Sequence, residues 1–113
     1  METIPERTFK FSVKIIELVS KLPRTSSGIA ISNQIIRSGT SVGANIEEAQ
    51  NSASKKEFIH TMTIALKEAR ETYYWLRLIG ESKLVSDLSS LKRENLEIVK
   101  ILTSSVKKAK NKI

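Results

Sequence analysis

Cysteine is absent from the 113 residues, and histidine occurs once. The first absence removes disulfides, zinc–thiolate sites and thiol nucleophiles, and it fits a reducing compartment. Two prolines and four glycines leave few places for the chain to break. Aromatic residues make up 5% of the sequence, and no segment alternates apolar and polar residues over a useful length, so a β fold is not expected. No apolar run approaches membrane-spanning length, and the opening METIPERTFK lacks the apolar core of a signal peptide. The chain reads as cytoplasmic, with no membrane partner.

What is present is leucine, isoleucine, lysine and glutamate in helical repeats. The composition, 40% hydrophobic and 27% charged, is that of an ordinary globular chain, and the length fits one domain over residues 1–113. Four helices are expected. The first runs from about Ile4 to Leu22: Thr3 and Glu6 have capping-box spacing, Pro5 suits a first turn, and Pro23 stops the helix. Phe11, Ile15, Leu18 and Leu22 form its core line, with Phe9, Val13 and Ile16 as a second apolar line beside it. The second starts near Thr25–Ser27 and ends near Asn51, with Ile31, Ile35, Ser38, Val42, Asn45 and Ala49 at heptad spacing. The third opens on the capping box Ser54-Lys55-Lys56-Glu57 and runs to Ile79, with Gly80 placed to terminate it. The fourth spans about Ser82 to Lys108, on Leu84, Leu88, Leu91, Asn95, Ile98, Leu102, Ser105 and Ala109. Short links between long helices make neighbours antiparallel. The expected fold is therefore all-α, an antiparallel up-down-up-down four-helix bundle.

The formal net charge is +7. Residues 100–113 hold Lys100, Lys107, Lys108, Lys110 and Lys112 without an acid, whereas the other 99 residues carry 14 bases and 12 acids. The excess is thus mostly C-terminal. Such a tail contacts phosphates or simply keeps a helix end soluble, and both readings stand. Lys10, Lys14, Lys92, Arg93, Lys100, Lys107, Lys108, Lys110 and Lys112 are the candidate nucleic-acid contacts, with Arg7 beside them. No groove-reading motif accompanies them, so any binding to RNA or DNA is expected to be non-specific and salt-sensitive.

The second helix carries polar and small residues where a bundle seam is usually apolar. Gly39 and Gly43 have small-xxx-small spacing, and each costs roughly 1 kcal/mol of helix stability relative to alanine. Close approach of another backbone, or a kink, is the expected reason. Asn45 falls in the seam and needs hydrogen-bond partners. Arg37, Ser41 and Glu48 lie one or two turns from it, Gln34 and Ser38 belong to the same polar run, and Glu68 and Glu71 of the third helix are candidates to pair with Arg37. This set reads either as a structural polar network fixing helix register or as an interface or ligand site.

The remaining chemistry is sparse. Glu57-Phe58-Ile59-His60 has the Glu-x-x-His form of di-iron bundles, but those sites need two such motifs, and His60 is the only histidine. No metal or cofactor is expected. Glu47/Glu48 and Glu68/Glu71 read as helix-surface or structural charges, and no catalytic constellation assembles, so no enzyme is expected. Tyr73, Tyr74 and Trp75 point about 100° apart and cannot share one seam. Trp75 and one tyrosine are expected at a helix or subunit junction, with base stacking as the other use.

The run Gln34, Arg37-Ser38, Ser41, Ala44-Asn45-Ile46, Glu48-Ala49, then Ser54, Phe58, Ala65-Leu66-Lys67-Glu68-Ala69, Glu71 and Tyr74-Trp75-Leu76 resembles the four-helix-bundle proteins of 23S rRNA intervening sequences. The likeness covers about residues 5–110. One departure is Val42-Gly43, where the family pattern has Ile-Pro; without proline, the kink it implies for the second helix loses that support. The resemblance implies a ring-like homopentamer. It also implies kinship with accessory proteins of diversity-generating retroelements, which are similar basic barrels that bind nucleic acid and a reverse transcriptase. The second apolar line of the first helix, and the neighbouring side of the second helix that carries Ile29, Ile36, Gly39, Gly43 and Ile46, independently favour self-association through unlike faces. The sequence thus reads as a homo-oligomeric scaffold with nucleic-acid affinity, or as an accessory subunit that binds a protein partner and no nucleic acid.

Overall fold

The computed structural model describes residues 1–111 and contains four helices: α1 (Ile4–Ser20), α2 (Ser26–Ala49), α3 (Lys55–Glu81) and α4 (Ser89–Asn111). No strand occurs among the described residues. Each helix packs on the next in chain order, and α4 returns to α1, which closes an up-down-up-down bundle about 48 Å long and 21 Å across. The α1–α4 seam is the least closely packed.

Local chemistry accounts for the helix starts. Thr3 Oγ1 accepts from the Glu6 N–H at 3.3 Å while the Thr3 N–H donates to the Glu6 carboxylate at 3.1 Å, a complete capping box. Thr25 caps α2 through the Gly28 N–H at 3.1 Å. Ser54 caps α3 through the Glu57 N–H at 3.1 Å, but the Glu57 carboxylate takes the Ala53 N–H instead of the N–H of Ser54. The capping box expected there is therefore half formed.

The largest departure from expectation is the α3–α4 connection. α3 runs through Gly80 to Glu81, and α4 begins at Ser89, not near Ser82. Lys83, not Gly80, takes the left-handed conformation that ends the helix, with φ 57°. Around it the Leu84 N–H reaches the Ile79 carbonyl at 3.3 Å and the Lys83 N–H the Gly80 carbonyl at 3.2 Å, the two bonds of a Schellman ending. A second left-handed residue, Asp87 (φ 55°), turns the chain into α4. Heptad spacing hid this loop because Leu88 is buried and Leu84 packs against the core from irregular backbone. A left-handed lysine carries a steric cost that glycine avoids. Lys83→Gly is expected to raise the urea midpoint, equivalent to about 0.5–1 kcal/mol; an unchanged or lower midpoint would refute this.

One core runs the length of the rod. Phe11, Ile15 and Leu18 of α1 meet Ile35, Val42 and Ile46 of α2, Met62, Ala69, Leu76 and Ile79 of α3, and Ile98 and Leu102 of α4. Polar groups within it are Thr8, Ser38, Thr72 and Asn95. Thr72 Oγ1 donates to the Glu68 carbonyl at 2.8 Å and lies 2.8 Å from Ser38 Oγ, whose hydroxyl can donate to it, so this pair is satisfied. Asn95 donates to the Ala69 carbonyl at 3.0 Å, while its own oxygen has no partner.

Candidate nucleic-acid interface

Gly39 and Gly43 of α2 face α1 of the same chain. A Cβ on Gly39 would stand 2.8 Å from the Ile15 side chain, and one on Gly43 would stand 3.1 Å from the Thr8 carbonyl oxygen. Close approach of another backbone is thus the reason for Gly43, and α2 remains one uninterrupted helix.

Asn45 is not in the core. It is half-buried, and its amide nitrogen is bonded to the Ser41 carbonyl at 2.8 Å and the Ser41 hydroxyl at 3.2 Å. Heptad counting placed it in the seam, but it lies toward the margin of the α2 stripe centred on Val42. The buried asparagine is Asn95. Arg37 meets both expected acids, bonding Glu68 at 3.0 Å and Glu71 across the α2–α3 seam. Trp75 Nε1–H also donates to Glu71, at 3.0 Å. Ser38 is buried on Thr72, whereas Gln34 and Glu48 are exposed. The set is therefore not one network but four local arrangements: an α2–α3 ion-pair bridge, a buried hydroxyl pair, the Asn45–Ser41 bonds within α2 and glycine contacts to α1.

The cations also divide. Lys10 pairs with Glu2, which raises its pKa chiefly through that hydrogen bond. Lys14 lines the α1–α4 groove together with Arg7, Arg93, Glu94 and Glu97. Arg7 is bound to Glu94 by two bonds, 2.6 and 3.2 Å, and this contact holds its guanidinium above the usual range. That groove is of mixed charge. Arg93, Lys100 and Lys107 follow one another at seven-residue spacing along an exposed line of α4 that borders this groove, with exposed Glu97 one turn before Lys100. Lys92 is half-buried over α3, its ammonium 3.6 Å from where a Cβ on Gly80 would stand. Lys108 and Lys110 are exposed in the last turn, while Lys112 lies outside the described residues.

Sequence reasoning missed the cations of α3. Lys67, Arg70, Tyr74 and Arg77 step by 3, 4 and 3, so they share one side of the helix, and all four are exposed. Glu68, Glu71 and Trp75 mark the side facing α2, and the stripe lies about a third of a turn away from it, toward α4. Among the described residues Lys67, Arg70, Arg77, Lys100 and Lys107 make no ion pair. The basic surface is thus the outer face of α3 and α4, with Glu81 at one end and Glu97 beside Lys100. The 3-4-3 spacing was the signal that could have found it.

Elsewhere the second apolar line of α1 is exposed: Phe9 60%, Val13 44% and Ile16 51%. Phe9 and Ile16 wall a shallow groove floored by Gly43 and Ala44 and edged by Glu47 and Glu48. No group of three His, Asp or Glu among the described residues could hold a metal ion, and no described helix is long and apolar enough to cross a membrane.

The sequence pattern of the 23S rRNA-intervening sequence protein family matches residues 3–104. The chain belongs to this family. A solved structure from the S23 ribosomal protein family, a protein of unknown function from Bacteroides thetaiotaomicron, superposes with a TM-score of 0.87 at 38% identity, covering 93% of this chain and 99% of that one. A comparison with functionally curated proteins returns no match. For an intervening-sequence family member the bundle and its helix order are therefore shared with a relative over nearly the whole chain, while the distribution of charge over its faces is read from this sequence.

Proposed function

We propose that the protein is a non-catalytic, self-associating helical scaffold that binds RNA or DNA without sequence specificity through the outer face of α3 and α4. The observation that carries this reading is the stripe of exposed cations Lys67, Arg70 and Arg77 beside Lys100 and Lys107, with the neighbouring acids Glu68 and Glu71 turned to Arg37. Five such charges act on phosphates by releasing counterions, and helix flanks of this kind present nothing shaped to read base edges. Self-association is supported by Phe9, Val13 and Ile16, an exposed apolar line of the kind that marks interfaces.

Binding of a labelled single-stranded RNA, followed by anisotropy from about 50 to 300 mM salt, is expected to weaken with a log–log slope of roughly −3, as for four or five phosphate contacts. Replacing Lys67, Arg70 and Arg77 together by glutamine is expected to flatten that slope by about two, whereas replacing Lys10 and Lys14 leaves it nearly unchanged. No binding at low salt, or no slope, refutes the nucleic-acid reading and leaves the accessory-subunit alternative. Light scattering tests assembly: a mass near five times 12.7 kDa is expected for the ring implied by the family likeness, and a monomer refutes it.

A further inference from the structure

Tyr74 stands in the middle of the α3 cations, one turn from Arg70 on one side and from Arg77 on the other. The residue is 49% exposed. A tyrosine placed for packing would be covered, and one placed at random on a surface would be free to rotate. Tyr74 is neither, because it is braced. Its ring meets Trp75 edge to face, with centroids 5.1 Å apart and planes at 71°. The Trp75 indole is fixed by its N–H bond to Glu71 at 3.0 Å, and Glu71 is held by Arg37 from α2. The polar bridge between α2 and α3 therefore orients an aromatic ring at the surface, within a field of unpaired positive charge.

An aromatic face flanked by cations is the combination used to hold unpaired bases. The cations take the phosphates and the ring stacks on a base, whatever that base is. A duplex keeps its base faces stacked internally and offers such a surface only phosphates. We infer that Tyr74 is a base-stacking platform and that the α3–α4 face takes single-stranded nucleic acid in preference to duplex. This inference rests on the proposed nucleic-acid binding and adds to it a ligand class and a residue that selects it.

Three labelled probes of equal length separate the possibilities: a mixed-sequence single strand, its duplex, and an abasic single strand that keeps the phosphates and lacks the bases. Wild-type protein is expected to bind the single strand more tightly than either other probe at the same salt. Tyr74→Ala is expected to weaken single-strand binding roughly tenfold, with duplex and abasic binding unchanged. Tyr74→Phe retains wild-type affinity, since stacking needs the ring and not the hydroxyl. Equal wild-type affinity for the single strand and the abasic strand, or full single-strand affinity in Tyr74→Ala, overturns the inference while leaving charge-driven binding intact. Duplex binding as tight as single-strand binding overturns it as well. If no probe binds, the proposed function itself fails and this inference with it. Thermal melts of the variants confirm that an exposed substitution has left the bundle folded.

Discussion

Asn95→Asp is expected to lower stability by about 3–5 kcal/mol at neutral pH, a large share of what a domain of this size possesses. Asn95 is fully buried, donates to the Ala69 carbonyl at 3.0 Å, and leaves its own oxygen without a partner. An aspartate of the same shape turns the donor into an acceptor facing that carbonyl and brings a charge into the core with no cation beside it. Burial raises the folded-state pKa of such a carboxyl above its unfolded value of about 3.9. The penalty is therefore present above the unfolded pKa and grows as pH rises toward the folded one. It shrinks toward the cost of a misplaced neutral group as pH falls to about 4. Urea unfolding at pH 7 and pH 4.5 measures this; a deficit that does not shrink with acidification would sink the explanation. Asn95→Leu is the contrasting case. It removes the unpartnered oxygen, and the Ala69 carbonyl keeps its place in the helix ladder, so stability is expected to stay within about 1 kcal/mol of wild type or to rise.

Gly28→Ala is the second large effect, and it comes from sterics alone. A Cβ there would lie 1.9 Å from the Pro23 carbonyl oxygen, which is backbone and cannot swing aside. Gly28 is the third residue of α2, where the loop leaving α1 folds back beneath the helix. Alanine would gain about 1 kcal/mol in helix propensity, yet the overlap forces the Pro23–Thr25 turn or the start of α2 to move. A net loss of about 2–3 kcal/mol is expected, visible as a fall in melting temperature of roughly 10 °C or more. Gly39→Ala meets the Ile15 side chain, which can shift, and should cost less. Gly80→Ala has only an ordinary contact at 3.6 Å with the Lys92 ammonium and is expected to stabilise by about 0.5–1 kcal/mol. If the three variants melted alike, none of these contacts would matter to stability.

The ranking of glycines shows what the sequence could tell and what it could not. Gly39 and Gly43 stood out by spacing, and both do touch α1. Gly28 stood out by nothing, because its constraint is a carbonyl five residues earlier that reaches it only through the path of a turn. The asparagines repeat the lesson. Asn45 and Asn95 both sit at heptad positions, but α2 is wide enough in small residues that its buried stripe centres on Val42 and leaves Asn45 at the margin. The four helices, three of their N-caps and most of the core line were legible because each depends on residues within one or two turns. The start of α4 was not, since Leu84 and Leu88 satisfy a helical repeat while packing from a loop. The basic face was half legible. The lysines of α4 are conspicuous as an acid-free run, whereas those of α3 are interleaved in sequence with Glu68 and Glu71 and separate from them only once the helix is wound.

The loose α1–α4 seam has a consequence for how the molecule breathes. α4 is packed closely on α3, while its other flank meets α1 across a mixed-charge groove bridged by Arg7 and Glu94. Sub-global openings follow the weakest line of a fold. Here that line runs between the first and last helices, so the lowest-energy excursion peels α4 from α1 before α2 parts from α3. Lys100 and Lys107 ride on that same helix. A polyanion lying across both α3 and α4 would act as a clasp, tying the least anchored helix to its best-held neighbour and slowing amide exchange along it.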